Sequence, residues 1–145
     1  MKTDIDLPLG RVLANLCRLQ ARRADQLMDQ IGLYRGQAIL LVILAEQDGL
    51  THTEIAEKLH ISPPAATKVI KRLEKLSYLR RQPDPADERL SRVFLQQEGR
   101  AVIDQIHVAF GRINTVMMEG FTSEELELIR SLLSRLQANL EQGAF

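Results

Sequence analysis

The residues of this chain best suited to chemistry lie between Leu50 and Gly99, and the chemistry they suit is recognition of an anionic, hydrogen-bonding surface. Ser62 can cap a helix whose first positions are Pro63 and Pro64, tolerable there because the opening N–H groups of a helix have no internal partner. Ala66, Val69, Ile70, Leu73 and Leu76 then recur at helical spacing and are expected to hold that helix down. The remaining face presents Ala65, Thr67, Lys68, Lys71 and Arg72, a mix of small, hydroxyl and cationic groups that fits base edges and phosphates of duplex DNA. Lys68, Lys71 and Arg72 are assigned to phosphates, and Ser62, Pro64, Ala65 and Thr67 to bases. Further on, Arg89 stands in a Pro- and Asp-dense stretch together with Asp87. A cation there could enter a minor groove, whose negative potential is enhanced where it is narrow. The other reading is that Arg89 pairs with Asp84 or Asp87 and only holds the local turn.

These side chains need elements to present them. Thr51 followed by Glu54 forms a capping box that starts a helix with Ile55, Ala56 and Leu59 on its buried face, and His60-Ile61 makes the turn into the helix opened by Ser62. Leu79–Pro83 and Ser91–Leu95 read as short strands, and Asp84-Pro85-Ala86-Asp87-Glu88-Arg89 as the turn between them. The pattern is a helix-turn-helix followed by a basic β-hairpin. Upstream, Leu9, Val12, Leu13, Leu16, Gln20, Ala24, Leu27, Met28 and Ile31 mark an amphipathic helix over residues 8–31. A second helix, Tyr34 to Gln47, is apolar on all sides through residues 38–45 and is expected to be central. Downstream, Val102, Ile103, Ile106, Phe110, Ile113 and Met117 form another stripe. Thr122 and Glu125 cap a last helix carrying Leu126, Ile129, Leu132, Leu133, Leu136 and Leu140.

Charge is distributed unevenly. The 145 residues have formal net charge +0, yet residues 58–100 hold ten Lys or Arg against five Asp or Glu, while both flanking segments are net negative. The positive excess sits where DNA would, and neutralising phosphates supplies most non-specific affinity. At 45% hydrophobic residues the chain can bury a sizeable core and is most simply one domain, 1–145. No apolar run suits a membrane span and no leader pattern opens the chain, so a cytoplasmic protein without a membrane partner is expected. One cysteine excludes an intrachain disulfide framework. His52, His60 and His107 lack metal-pair spacing, and there is neither a glycine-rich phosphate loop nor a nucleophile elbow. The expectation is no cofactor, no metal and no enzyme.

Helix, hairpin and the phrase Asp84-Pro85-Ala86-Asp87-Glu88-Arg89 running on through Val93, Leu95 and Gly99 resemble the MarR family of winged helix-turn-helix regulators, with Leu73-Glu74 at the end of the recognition helix in support. The resemblance spans essentially the whole chain. It implies a mainly α fold with a small β-hairpin wing, a DNA-binding lobe over about residues 34–100, and dimerisation helices over about 8–31 and 101–142. It implies a homodimer on a pseudo-palindromic operator, its recognition helices about 34 Å apart. It also implies a repressor released by a small aromatic or lipophilic effector or by oxidation. Cys17 stands in the first helix, where some members of the family carry a peroxide-sensing cysteine; the other reading of Cys17 is a small hydrophobe packed in the core. Two positions depart from the family pattern. Ser77 replaces a common Gly, so the recognition helix ends on a strained left-handed residue or turns differently. Gln96 replaces a Thr that often caps the next helix. The alternative of another class is a winged-helix protein-interaction module that has lost DNA binding, against which the basic helix and Arg89 argue.

Overall fold

The structure, a computed structural model, describes residues 8–144; the N-terminal segment read above for a leader lies outside them. The elements in chain order are α1 (Leu9–Asp29), α2 (Arg35–Glu46), β1 (Leu50–Thr51), α3 (His52–Leu59), α4 (Pro63–Lys75), β2 (Leu79–Pro83), β3 (Ser91–Leu95), α5 (Gln97–Met117) and α6 (Ser123–Gln142). The fold is mainly helical, with one small antiparallel sheet. Among the described residues no helix is long and apolar enough to cross a membrane. The chain divides into two compact units, one ending at Gly111 and the other beginning at Arg112, and each is described by itself.

In the first unit the core is built around α2, whose Ala38, Leu40, Leu41 and Leu44 are fully buried, in keeping with its all-round apolar sequence. Met28 of α1, Ile55 of α3, Ile70 and Leu73 of α4, Leu79 and Val93 of the sheet and Ile106 of α5 close around it. The local signals are realised as hydrogen bonds. Thr51 N–H donates to the Glu54 carboxylate at 2.7 Å and Glu54 N–H returns to Thr51 Oγ1 at 3.3 Å. Ala65 N–H donates to Ser62 Oγ at 3.3 Å, opening α4 with Pro63 and Pro64 in its first turn. Leu76 corrects the expected packing, since it lies beyond the last turn of α4 and is 47% exposed.

The sheet has three strands in the order β1-β3-β2, all antiparallel. The hairpin occupies the expected residues, with Leu79 opposite Leu95 and Pro83 opposite Ser91. The third strand is β1, where Leu50 pairs with Val93 and Thr51 with Arg92, so the wing is stitched to the entrance of the helix-turn-helix. Ser77 takes the left-handed conformation at φ 59°, and Tyr78 N–H closes the end of α4 on Leu73 C=O at 3.0 Å. The helix thus ends as it would with glycine, with the strain borne by a serine. Gln96 does not cap α5 with its side chain; its amide donates to Leu79 C=O at 3.1 Å and ties the helix start to the edge of β2. Gly99 allows α5 to begin flush against Tyr78: a Cβ there would lie 2.3 Å from the Tyr78 carbonyl oxygen.

The second unit holds the end of α5, a turn through Gly120, and α6. Thr122 and Glu125 form the expected capping box, at 2.9 Å and 3.2 Å. No residue of α6 is buried; of its apolar stripe Ile129, Leu132, Leu133 and Leu140 are exposed and Leu126 and Leu136 half-buried, and Leu128 beside the stripe is exposed as well.

Candidate nucleic-acid interface

The geometry of α4 follows from its buried side. Ala66, Ile70 and Leu73 are fully buried, which turns Pro64, Lys68, Lys71, Arg72 and Lys75 outward as one exposed row. Pro64 leads that row and the cations follow it. Arg72 and Lys75 in the last turn also complement the carbonyl end of the helix. Ser62 is exposed, with its hydroxyl engaged in capping. Ala65 is half-buried at the flank. Thr67 is half-buried too, and its Oγ1 lies 3.5 Å from His52 Nδ1 on α3, the limit of a hydrogen bond. The structure therefore brings Pro64, Lys68, Lys71 and Arg72 together on the outer face, whereas Thr67 sits at its inner edge.

The wing turn is organised by two aspartates. Asp84 is buried at 5% exposure, and its carboxylate accepts from Ala86 N–H at 2.7 Å and Asp87 N–H at 3.2 Å, the short-range bonding that makes Asp a turn residue. The same carboxylate pairs with the Arg92 guanidinium, whose Nη1 donates to Gly49 C=O at 2.8 Å. One arginine thus joins the base of the wing turn to the residue just ahead of β1. Arg92 is first among the groups that hold the Asp84 carboxyl below the usual carboxylate range, followed by the Ala86 N–H, against the opposing effect of burial.

Asp87 accepts from both the backbone N–H and the guanidinium Nε of Arg89, each at 3.1 Å, and the Arg89 guanidinium lowers its pKa most. Arg89 nevertheless leaves 91% of its side chain in solvent. An exposed pair of this kind contributes little to stability and releases its cation at little cost. The two readings of Arg89 are thus compatible: Asp87 orients the guanidinium at the wing tip without burying it.

Several contacts here were not foreseen. Arg81 of β2 pairs with Glu74 of α4 at 2.9 Å and fixes the wing against that helix. Arg80 lies over the Phe94 ring at 5.2 Å, and Arg72 over the Tyr34 ring at 5.6 Å. His52 Nε2 is buried without a hydrogen-bond partner, and burial, followed by the Arg81 charge, pushes its pKa below the ordinary imidazole value. The ring contacts join different elements far apart in sequence, and the Arg81 pair forms only where β2 folds back beside α4, so local pattern carries no trace of them. The Arg92 link has a partial signal, an arginine directly opposite Thr51 in the paired strands, but only once β1 is known. Cys17 is exposed on α1, which corrects the core-packing reading. No group of three His, Cys, Asp or Glu able to hold a metal ion occurs among the described residues.

Comparison with known proteins agrees with this architecture. The MarR family model matches residues 33–91, the segment from the start of α2 into the wing. The HTH-type transcriptional regulator YybA of Bacillus subtilis is 30% identical over 134 residues, spanning 92% of this chain and 85% of the relative. The crystal structure of the transcriptional regulator SlyA superposes with a TM-score of 0.83 at 25% identity, covering 92% of this chain and 94% of that one. A mutant MarR from E. coli complexed with operator DNA shares the fold, with a TM-score of 0.81 at 22% identity over 94% of this chain and 98% of its own. With a capped helix-turn-helix, a wing stitched to its entrance and a relative of this identity along nearly its full length, the chain belongs to the MarR family of transcriptional regulators.

Proposed function

We propose that the protein works as a homodimeric repressor that binds a pseudo-palindromic operator in double-stranded DNA. The observation that carries this reading is the outward row of α4, Pro64 followed by Lys68, Lys71 and Arg72, beside a wing whose Arg89 is 91% exposed at its tip. In this reading α4 enters the major groove, Lys68, Lys71 and Arg72 meet phosphates, and Ser62, Pro64, Ala65 and Thr67 approach base edges. Pro64 and Ala65 suit the apolar methyl of thymine, and the Thr67 hydroxyl suits either a donor or an acceptor. Arg89, oriented by Asp87, enters the adjacent minor groove. The relative solved with operator DNA has this fold, which supports the assignment of its DNA-facing elements to residues 34–100 here.

Dimerisation is assigned to α1 and residues 101–142. Leu9, Leu16 and Leu19 on α1 and the stripe of α6 leave apolar surface exposed in a single chain, and a two-fold partner would cover it. A dimer also explains how one small reading head reaches operator affinity, since two linked half-sites bind with a high effective concentration. Release by a small aromatic or lipophilic effector completes the proposal; such a ligand acts only through a different affinity for the DNA-bound and free conformations. A redox route has one observation in its favour, the exposed thiol of Cys17. Peroxide treatment that oxidises Cys17 and leaves DNA affinity unchanged removes it.

The test separates positioning from reading. Lys71→Ala is expected to weaken binding to all duplexes about equally and to flatten the salt dependence by about one phosphate per protomer. Arg89→Ala is expected to weaken the preferred sequence more than an unrelated one. If both variants bind like the wild-type protein, the assignment of α4 and the wing to DNA fails.

A further inference from the structure

We propose that Tyr34 is a positioning residue for Arg72, holding its guanidinium ready for a DNA phosphate without cancelling its charge. The inference rests on the DNA-binding reading and extends the contact surface from α4 to the start of α2.

Aromatic residues are scarce in this chain, four Phe and two Tyr, and Tyr34 leaves 63% of its surface exposed. A tyrosine that contributes so little to the core has its ring available for another task. The backbone beneath it is fixed: Tyr34 N–H donates to Gln37 Oε1 at 2.8 Å, and the helix it opens carries the most buried residues of the fold. From this anchored position the ring lies 5.6 Å below the Arg72 guanidinium carbon, within cation–π range.

The partners of four other arginines show why this matters, although Arg80 too lies on an aromatic face, that of Phe94. Arg81 sits on Glu74, Arg89 on Asp87, Arg92 on Asp84 and Arg100 on Asp48. Arg72 has no carboxylate partner among the described residues, only the face of an aromatic ring. A carboxylate would neutralise the cation and compete with phosphate. A π face restrains the guanidinium while leaving its full charge and its N–H fork directed outward. A long arginine side chain loses rotamer freedom when it is fixed. Restraint already present in the free protein reduces what remains to be lost on binding.

The experiment measures binding of the full chain to DNA from upstream of its own gene and to an unrelated duplex, across a salt series, for Tyr34→Leu, Tyr34→Phe, Arg72→Ala and the Tyr34→Leu/Arg72→Ala double variant. The Gln37 bond uses the Tyr34 backbone and survives all of these substitutions. Tyr34→Leu should weaken binding to both duplexes about 2- to 5-fold per protomer, the range of an exposed cation–π contact. Tyr34→Phe keeps the ring and should bind as wild type. In the Arg72→Ala background, Tyr34→Leu should cause no further loss, because no cation remains to be positioned. The proposal is overturned if Tyr34→Leu binds as wild type, or if its loss is equally large without Arg72, which would make its role merely structural. It is also overturned if Tyr34→Phe loses as much as Tyr34→Leu, which would assign the effect to the hydroxyl. Failure of the underlying DNA-binding reading gives a different result: the wild-type protein binds neither duplex, and the proposal falls with it.

Discussion

Helices α4 and α6 have comparable apolar stripes in the sequence and opposite fates in the folded chain. Ala66, Ile70 and Leu73 of α4 are fully buried, and the surrounding elements add side-chain bonds such as Arg81 to Glu74. On α6, Leu128, Ile129, Leu132, Leu133 and Leu140 are all exposed although the helix is capped by a complete Thr122–Glu125 box. Amphipathic periodicity thus says that a face seeks cover and leaves open where the cover comes from. For α4 it comes from the same chain; for α6 it is assigned to a second copy.

The largest expected effect addresses that contrast. Leu73→Ala removes a fully buried side chain and should lower stability by about 2–5 kcal/mol, a loss relative to the wild-type protein that is the same at every protein concentration. Leu132→Ala on α6 should instead give a loss that shrinks as concentration rises, because in the proposed dimer the contact it removes would lie between protomers. If both variants behave alike with concentration, the contrast between a self-covered and a partner-covered helix is wrong.

Within the unit proposed to face DNA, Arg89→Ala should weaken binding to the preferred sequence by about 1–3 kcal/mol with no change in folding, since its side chain is almost wholly in solvent. An altered melting temperature in that variant would show that the Asp87 pair holds the fold and would favour the purely structural reading. Arg92 offers the converse case. Arg92→Ala should loosen the wing, and Arg89→Ala should then cost less affinity in the Arg92→Ala background than alone, because Arg92 bridges Asp84 and the Gly49 carbonyl.

Smaller effects follow from local strain and from titration. Ser77→Gly should stabilise the chain by about 0.5–1 kcal/mol, because glycine takes the left-handed conformation at φ 59° without steric cost, partly offset by its freedom in the unfolded chain. For His52 the folded pKa is depressed by burial and by Arg81, so the unfolded chain takes up the proton first as pH falls. Stability is therefore retained above the ordinary imidazole value of about 6.5 and lost as pH drops from there through the lowered folded value. His52→Gln should flatten that part of the stability profile; an unchanged slope would place the titrating group elsewhere.

Much of the fold was legible because its signals are local. Thr51 and Glu54, Ser62 with its two prolines, and Thr122 with Glu125 each satisfy their helix N-terminus within a few residues, and Asp84 and Asp87 bond to backbone N–H groups inside the wing turn. Ser77 likewise betrayed a left-handed helix end by standing where glycine is usual. The strand β1 was not legible: Leu50 and Thr51 read as the entry to a helix, and they are a strand only because Val93 and Arg92 pair with them from more than forty residues away. The same holds for Tyr34 under Arg72 and for His52 beside Thr67, where two elements meet through tertiary packing. Leu76 was misread because a periodic stripe continues past the point at which the helix stops.

The most direct test of the central claim is binding of the purified protein to DNA upstream of its own gene, across a salt series and against an unrelated fragment, with stoichiometry determined. The account predicts tighter binding to one sequence, two chains per site, and affinity that falls steeply with salt. Absence of binding to either fragment at low salt would contradict it and favour a winged helix that recognises protein instead.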